Sequence, residues 1–218
     1  MRRMKGQFLI YGDVNPSKTR PYVNYGLIAA NVAVFIWSLA NFDNTIFAWG
    51  FIPVQFSFLT MLTSMFLHGG IDHIFGNMLF LYIFGDNVED RMGHAKYLAF
   101  YLLAGMFAAF IQYATDPLSA VPTIGASGAI SAVLGAYLAM FPHARVKVAG
   151  YFYEPMTYRA DVVIGLWFVF QLFWGVSSFA GGMGSNIAFW AHIGGFVFGY
   201  IITKLWKKSG PSPEDDGN

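Results

Sequence analysis

The stretch TIGASGAISAVLGAYLAM, residues 123–140, places small residues at the start of an apolar helix. Small side chains allow membrane helices to approach each other closely, so packing is one explanation of this composition. The other explanation is chemical, with Ser127 as a nucleophile that its glycine and alanine neighbours leave uncrowded. The rest of the chain has to decide between these two interpretations.

The composition is that of a membrane protein. Of the 218 residues, 56% are hydrophobic and 11% are charged. Soluble domains carry about 25% charged residues. The mean hydropathy is +0.49. Because the chain has no cysteine, a disulfide framework and a thiolate metal site are both excluded.

Six apolar segments are long enough to cross the hydrocarbon core of a bilayer, which takes about 20 helical residues. We therefore expect an all-α membrane protein with six transmembrane helices. The first segment follows twenty polar residues and lacks a small-residue cleavage site, so it is not a signal peptide. The approximate ranges are 22–41, 72–88, 95–114, 126–142, 160–179 and 187–206.

All thirteen lysines and arginines fall on one side of the predicted spans. Lysine and arginine are enriched in cytoplasmic loops, so this side is predicted to be cytoplasmic and to hold both termini. The residues are Arg2, Arg3, Lys5, Lys18 and Arg20 before span one, Arg91 and Lys96 after span two, Arg145, Lys147 and Arg159 after span four, and Lys204, Lys207 and Lys208 at the end of span six.

The two ends of the chain and one outer loop differ from the spans. We expect a short basic cytoplasmic tail over residues 1–21, a six-helix membrane core over 22–206 and a disordered cytoplasmic tail over 207–218. Residues 42–71 are apolar and aromatic, but a proline and a glycine pair interrupt them. This outer loop between helices one and two is expected to lie in the membrane interface or to form a folded cap.

Three predicted spans carry polar residues at a similar depth. Asn77, Ser127 and His192 each lie 12–15 residues before the cytoplasmic end of their span. At a rise of about 1.5 Å per residue, each lies roughly 8–12 Å below the outer boundary of the hydrocarbon core. Polar and ionisable residues at membrane depth are costly, so their coincidence predicts a functional site.

Small residues predict which of these spans are neighbours. Gly195 and Gly199 are four residues apart in span six, and His192 shares their side of the helix. In span four, Ser127 shares a side with Gly135, eight residues further on. The face that lets span six approach span four therefore also directs His192 towards Ser127.

Each polar residue also has another interpretation. A membrane serine often hydrogen-bonds its own helix, Asn77 alone is typical of a bond between helices, and His192 alone could belong to a proton pathway. His68 and His73 together with His192 would offer a metal three ligands, but the sequence contains no H-E-x-x-H pair. We expect no metal and no cofactor.

Four motifs resemble, in order and spacing, those of the rhomboid intramembrane serine proteases. The resemblance covers roughly residues 22–205 and implies a rhomboid-like bundle, similar to the compact bacterial six-helix type of the inner membrane. The motifs are HIFGN (73–77), GDNVEDRMG (85–93), GASGA (125–129) and AHIGGFVFG (191–199).

The resemblance implies a catalytic dyad in place of a triad. Ser127 would be the nucleophile and His192 its general base. The oxyanion hole would combine the backbone N–H of Ser127 with the side chains of His73 and Asn77.

The resemblance also implies a set of supporting residues and a flexible outer cap over the site, formed by the loop SSFAGGMGSN at 177–186. Some family members carry an aromatic residue four positions after the nucleophile, packed on the catalytic histidine. This chain has Ser131 there, so the motif does not explain how His192 is held. The supporting residues are His68, Glu89, Arg91, Gly125, Gly128, Gly195 and Gly199.

By the same resemblance, the partners are single-span membrane proteins cleaved near the outer face of a lipid bilayer, and no nucleic acid is expected. Two other classes remain open. A non-catalytic rhomboid-like protein would bind membrane helices, but such proteins have typically lost the dyad. A transporter or channel would need paired charges through the membrane, whereas here the polar residues stop at mid-depth.

Overall fold

A computed structural model describes residues 8–150, 153–179 and 187–209, and helices occupy all six predicted segments. Two further short helices lie in the outer loop between the first two long ones. The helices are α1 (Tyr22–Ser38), α2 (Phe42–Trp49), α3 (Phe58–Thr63), α4 (Ile71–Met92), α5 (His94–Thr115), α6 (Ser127–Met140), α7 (Ala160–Phe179) and α8 (Phe189–Ser209).

The described residues contain three helical segments that are long and apolar enough to cross a membrane: Tyr22–Trp49, His94–Thr115 and Ala160–Ser178. Helix α6 has only 14 residues. At about 1.5 Å per residue it is shorter than a hydrocarbon core of about 30 Å. Eleven of its residues are buried, so protein surrounds α6 and its length need not match the bilayer. The count of six spans stays a prediction.

The expectation of an all-α protein is wrong at one end of the bundle. Three antiparallel strands form a sheet in the order β1 (Phe8–Asp13), β2 (Arg145–Gly150), β3 (Tyr153–Arg159). The alternation in β2 buries Val146 and Val148, whereas Arg145 and Lys147, before and between them, are not buried. Pairing of β1 with β2 joins segments more than a hundred residues apart, so neither short strand is conspicuous by itself.

Within the expected basic tail over residues 1–21, residues 8–13 form β1, and the division of the chain into tail and core stays a prediction. The Tyr137 hydroxyl in α6 donates a hydrogen bond of 2.7 Å to the Asp13 carboxyl. Burial raises the pKa of Asp13 to about 6, although the bond from Tyr137 lowers it. At the other end of the chain α8 continues to Ser209, and residues 210–218 lie outside the described part.

The motif at 85–93 holds α4 against α1. The amides of Val23 and Asn24, at the start of α1, donate to the two Glu89 carboxylate oxygens at 3.0 and 2.7 Å. Such a carboxylate satisfies amides that have no acceptor within their own helix. A Cβ on Gly85 would lie 2.1 Å from Asn24 Oδ1, and Gly93 turns the chain into α5 with a φ of 78°.

Arg91 makes a second tie at the same end of α4. Its guanidinium carbon lies 5.3 Å from the centre of the Phe141 ring, which directly follows α6. A cation over an aromatic face at this distance is attracted to it. The end of α4 is thus fastened to both α1 and α6.

The outer loop has apolar side chains both against the helix bundle and on its exposed surface. Phe51 and Met61 are buried and form a small core with Ala109 of α5. Phe47 and Phe58 are 61% and 67% exposed. Exposed aromatic side chains on short helices suit a membrane interface, as the sequence predicts for this loop.

The crossing of α6 and α8 is the closest helix packing in the bundle, and glycines allow it. A Cβ on Gly195 would lie 2.1 Å from the Gly128 carbonyl oxygen, and one on Gly199 would lie 2.0 Å from that of Ala132. From the other side, Gly135 meets the backbone of α8 in the same way. The predicted packing of these two helices through small residues is confirmed.

Gly199→Val is expected to destabilise the protein by about 1–3 kcal/mol or more, since overpacking against backbone cannot be relieved by a rotamer change. Thermal unfolding in detergent measures the loss. Gly165→Val in α7 is the matched control, because a Cβ there meets nothing within 4 Å. Equal unfolding temperatures for the two variants would contradict the close crossing.

Candidate active site

The α6–α8 crossing brings Ser127 and His192 together. Ser127 is the first residue of α6, and His192 lies in the first turn of α8. Ser127 Oγ and His192 Nε2 are 2.7 Å apart, a normal hydrogen-bond distance. Both residues are half-buried.

Gly125 shapes the turn that leads into the serine. Its φ of 118° is a conformation that other residues rarely adopt. Its amide donates to the Ser64 carbonyl at 2.9 Å, which anchors the turn to the outer loop. A Cβ on Gly125 would lie 2.8 Å from His73 Nε2, so the missing side chain also makes room for that ring. Gly128 similarly faces Ala108, with a Cβ at 2.6 Å.

His73 lies beside the serine turn with a defined proton position. The Gly69 amide donates to His73 Nδ1 at 3.2 Å, so Nδ1 is the acceptor and Nε2 carries the proton in the neutral ring. That Nε2 is the atom next to Gly125. The imidazole therefore presents an N–H towards the turn that ends in Ser127.

Asn77 is buried one helical turn after His73, but its amide is directed to its own helix. Its Nδ2 donates to the His73 carbonyl at 3.0 Å. An amide nitrogen carries two hydrogens, so one remains for a second acceptor. The structure gives no direct bond between Asn77 and Ser127.

His68 is fully buried, and its ring meets the His73 ring edge to face with centroids 5.0 Å apart. It thus contacts His73 and lies behind the site. Within the described residues, no group of three or more histidine and carboxylate side chains is arranged to hold a metal ion.

The side chain that contacts His192 Nδ1 is one that the sequence analysis did not predict. Gln171 of α7 places its Oε1 2.8 Å from His192 Nδ1, and Trp167 of α7 lies 6.1 Å from the imidazole, ring centre to ring centre. Ser131 instead donates to the Ser127 carbonyl at 2.6 Å. A glutamine in the middle of an apolar span is the same kind of signal that singled out Asn77.

A small cavity opens beside Ser127. Its walls come from α5, α6, α8 and the outer loop and carry mainly small side chains. They include Ser64, Gly105, Ala108, Gly128 and Ala191. Residues 177–179 of the expected cap loop are helical and form the end of α7, which corrects the start of that loop. Residues 180–186 lie outside the described part of the chain.

Comparison with known proteins gives one family. Residues 55–209 match the family model described as "Rhomboid domain". The chain is 32% identical over 128 residues to the presenilin-associated rhomboid-like protein, mitochondrial, of Bos taurus, which covers 56% of this chain and 34% of that protein.

Two further relatives come from yeast and a bacterium. Rhomboid protein 1, mitochondrial, of Saccharomyces cerevisiae is 28% identical over 211 residues, which is 88% of this chain and 56% of the yeast protein. The Bacillus subtilis protein named "Putative rhomboid protease YdcA" is 35% identical over 80 residues, 37% of this chain and 40% of its own length. The chain thus spans less than two thirds of each of these relatives.

Proposed function

We propose that this chain, which belongs to the rhomboid family, is an intramembrane serine endopeptidase with Ser127 as nucleophile and His192 as general base. The observation that carries the proposal is the 2.7 Å separation of Ser127 Oγ and His192 Nε2. At that distance the hydroxyl can pass its proton to the imidazole while it attacks a carbonyl.

The reaction is acyl transfer through a covalent intermediate. Ser127 Oγ attacks the carbonyl carbon of the scissile bond, and its proton moves to His192 Nε2. When the C–N bond of the tetrahedral intermediate breaks, that proton passes to the departing amine. Water then attacks the acyl-serine with the same base, which releases the carboxylic acid and restores both residues.

Three N–H groups are proposed to stabilise the oxyanion. Ser127 begins α6, and the first amides of a helix have no acceptor within it. His73 Nε2 faces the serine turn with its proton, and Asn77 has one amide hydrogen left. Donors fixed before the reaction stabilise the developing charge without reorganisation.

The proposed substrates are single-span membrane proteins cleaved near the outer face. The cavity beside Ser127 has small walls, which suits a small side chain next to the scissile bond. A helical peptide bond is shielded by its own hydrogen bond, and unsatisfied backbone in lipid costs several kcal/mol per group. The substrate helix therefore has to unwind where it meets the serine.

The proposed location is a bacterial inner membrane, with six spans and both termini in the cytoplasm. The distribution of all thirteen lysines and arginines supports this orientation. The pairing of residues 8–13 with 145–150 supports it as well, since it requires both segments to lie on one side.

Replacement of either dyad residue is expected to abolish cleavage. Ser127→Ala and His192→Ala should lower turnover by more than about 10³-fold, and Asn77→Ala by about 10²-fold. A fluorophosphonate probe should label the unmodified protein and not Ser127→Ala. Ser178→Ala, whose hydroxyl bonds its own helix at Gly175, is the control serine. Full proteolysis by Ser127→Ala would overturn the mechanism.

Reporter fusions test the orientation. A periplasm-active reporter fused after Asn218 is expected to stay inactive, because the positive side retains that end in the cytoplasm. The same reporter inserted after Leu118, an exposed residue between α5 and α6, should be active. Activity at Asn218 together with inactivity at Leu118 would reverse the proposed topology.

Substrate helices with glycine or proline just inward of the cleavage site should be cut faster than stiffened ones. Replacing such a glycine by leucine favours the helix by about 1 kcal/mol, so about fivefold slower cleavage is expected for each. Equal rates for both substrates would show that unwinding is not limiting. The same replacement near the inner end of the substrate helix is the control, and membrane insertion should be unchanged in both.

A further inference from the structure

Gln171 is a polar side chain in the middle of α7 that reaches another helix. Its Oε1 lies 2.8 Å from His192 Nδ1. The two serines of α7 behave differently: Ser177 and Ser178 donate to carbonyls of their own helix, at Phe173 and Gly175. A glutamine that reached into lipid would be costly at this depth, so its use between helices calls for an explanation.

The hydrogen-bonding chemistry of the Gln171 amide determines which ring nitrogen of His192 carries the proton. A carbonyl oxygen only accepts hydrogen bonds, so the Gln171 contact requires the proton on His192 Nδ1. The neutral imidazole then has an unprotonated Nε2, which faces Ser127 Oγ at 2.7 Å. This tautomer is the one that can accept the serine proton; with the proton on Nε2 the ring could not act as a base.

Neighbouring residues of α7 hold the glutamine in this place. Trp167 lies one turn before Gln171 on the same face and packs beside His192, with a ring-centre distance of 6.1 Å. One turn after Gln171, a Cβ on Gly175 would lie 3.0 Å from Ile193 Cδ1, so α7 approaches α8 closely there. The face at 167, 171 and 175 thus fits around the start of α8.

Among the residues that the structure describes, no carboxylate contacts His192. Helix α6 contributes Ser127, α7 contributes Gln171 and Trp167, and α4 contributes the titratable neighbour His73. On the α5 side, Gln112 accepts a bond from the Ala191 amide at 3.3 Å. Orientation of the imidazole therefore falls to a neutral group.

We propose that Gln171 is a positioning residue of this site, which fixes His192 in the tautomer that can take the Ser127 proton and stabilises the imidazolium once it has formed. The inference rests on the proposed function. It assigns to α7 the task for which Ser131, four residues after the serine, offers no suitable side chain.

The test compares three variants of the full chain in liposomes. Gln171→Met keeps the size and removes the acceptor, Gln171→Glu keeps an acceptor and adds charge, and Ser177→Ala is the control on the same helix. The measurement is the rate at which a fluorophosphonate probe labels Ser127 across a pH range wide enough to include the acidic limb, from about pH 3 to pH 9. This reaction needs the base but no substrate helix: Oγ bonds to phosphorus, fluoride leaves and the proton passes to His192.

Gln171→Met should label about 10- to 100-fold more slowly at every pH, and the midpoint of its acidic limb should fall because the imidazolium loses an acceptor. Gln171→Glu should regain most of the labelling rate at pH values above the midpoint of its acidic limb. That midpoint should rise by about 1–3 pH units, the effect of a nearby opposite charge. Ser177→Ala should match the unmodified protein in both quantities.

The test distinguishes failure of the proposed function from failure of the role proposed for Gln171. Absence of Ser127 labelling in the unmodified protein would overturn the proposed function. Normal labelling there, together with a Gln171→Met variant of unchanged rate and midpoint, would overturn only the role of Gln171. A slower Gln171→Met variant with an unshifted midpoint and a lowered unfolding temperature would show that Gln171 merely packs α7 on α8, and would overturn it as well.

Discussion

The close approach of the α6 and α8 backbones is the constraint on which the rest of the structure depends. Gly195 and Gly199 leave no room for a Cβ against the carbonyl oxygens of α6. Because a helix is stiff, this contact fixes the position of the first turn of α6 relative to the first turn of α8. Ser127 and His192 lie in those two turns. A proton transfer needs donor and acceptor within about 3 Å. The glycines that pack the bundle are therefore also the residues that bring Ser127 Oγ within hydrogen-bond distance of His192 Nε2.

Around this crossing, the helices differ in how firmly they are anchored and in how far they are buried. Helix α4, which carries His73, is fastened at its inner end to α1 through Glu89. Helix α7 is much less enclosed: 17% of its most apolar stretch is buried, against 33% for α5. Yet α7 supplies Gln171, the partner of His192 Nδ1. The proposed oxyanion donors His73 and Asn77 thus lie on a well-anchored helix, whereas the orientation of the proposed base His192 depends on a helix that mostly faces outward.

Several features followed from local sequence because they rest on short-range rules. The six apolar segments are helical, since hydrophobic length and helical period are properties of each segment alone. The proximity of Ser127 and His192 followed from helical periodicity, because residues three or four apart, and seven or eight apart, share a helix face. By contrast, the sheet was missed: β1 pairs with a strand more than a hundred residues away, and neither is long enough to reveal the pairing. Gln171 did not follow from local sequence, because its partner His192 lies on another helix and no helical period links the two residues.

The sequence by itself determined the membrane class, the helical segments, the family and the identity of the serine and histidine, because each depends on composition or on residues close together in the chain. Only the tertiary structure decided that α6 has just 14 residues and that Asn77 turns to its own helix. It also decided that Gln171 and Trp167 lie against His192, whereas Ser131 donates to the Ser127 carbonyl. Those features depend on which atoms of separate helices end up within a few ångströms. Only tertiary packing sets such distances, so they cannot be predicted from the sequence of any single segment.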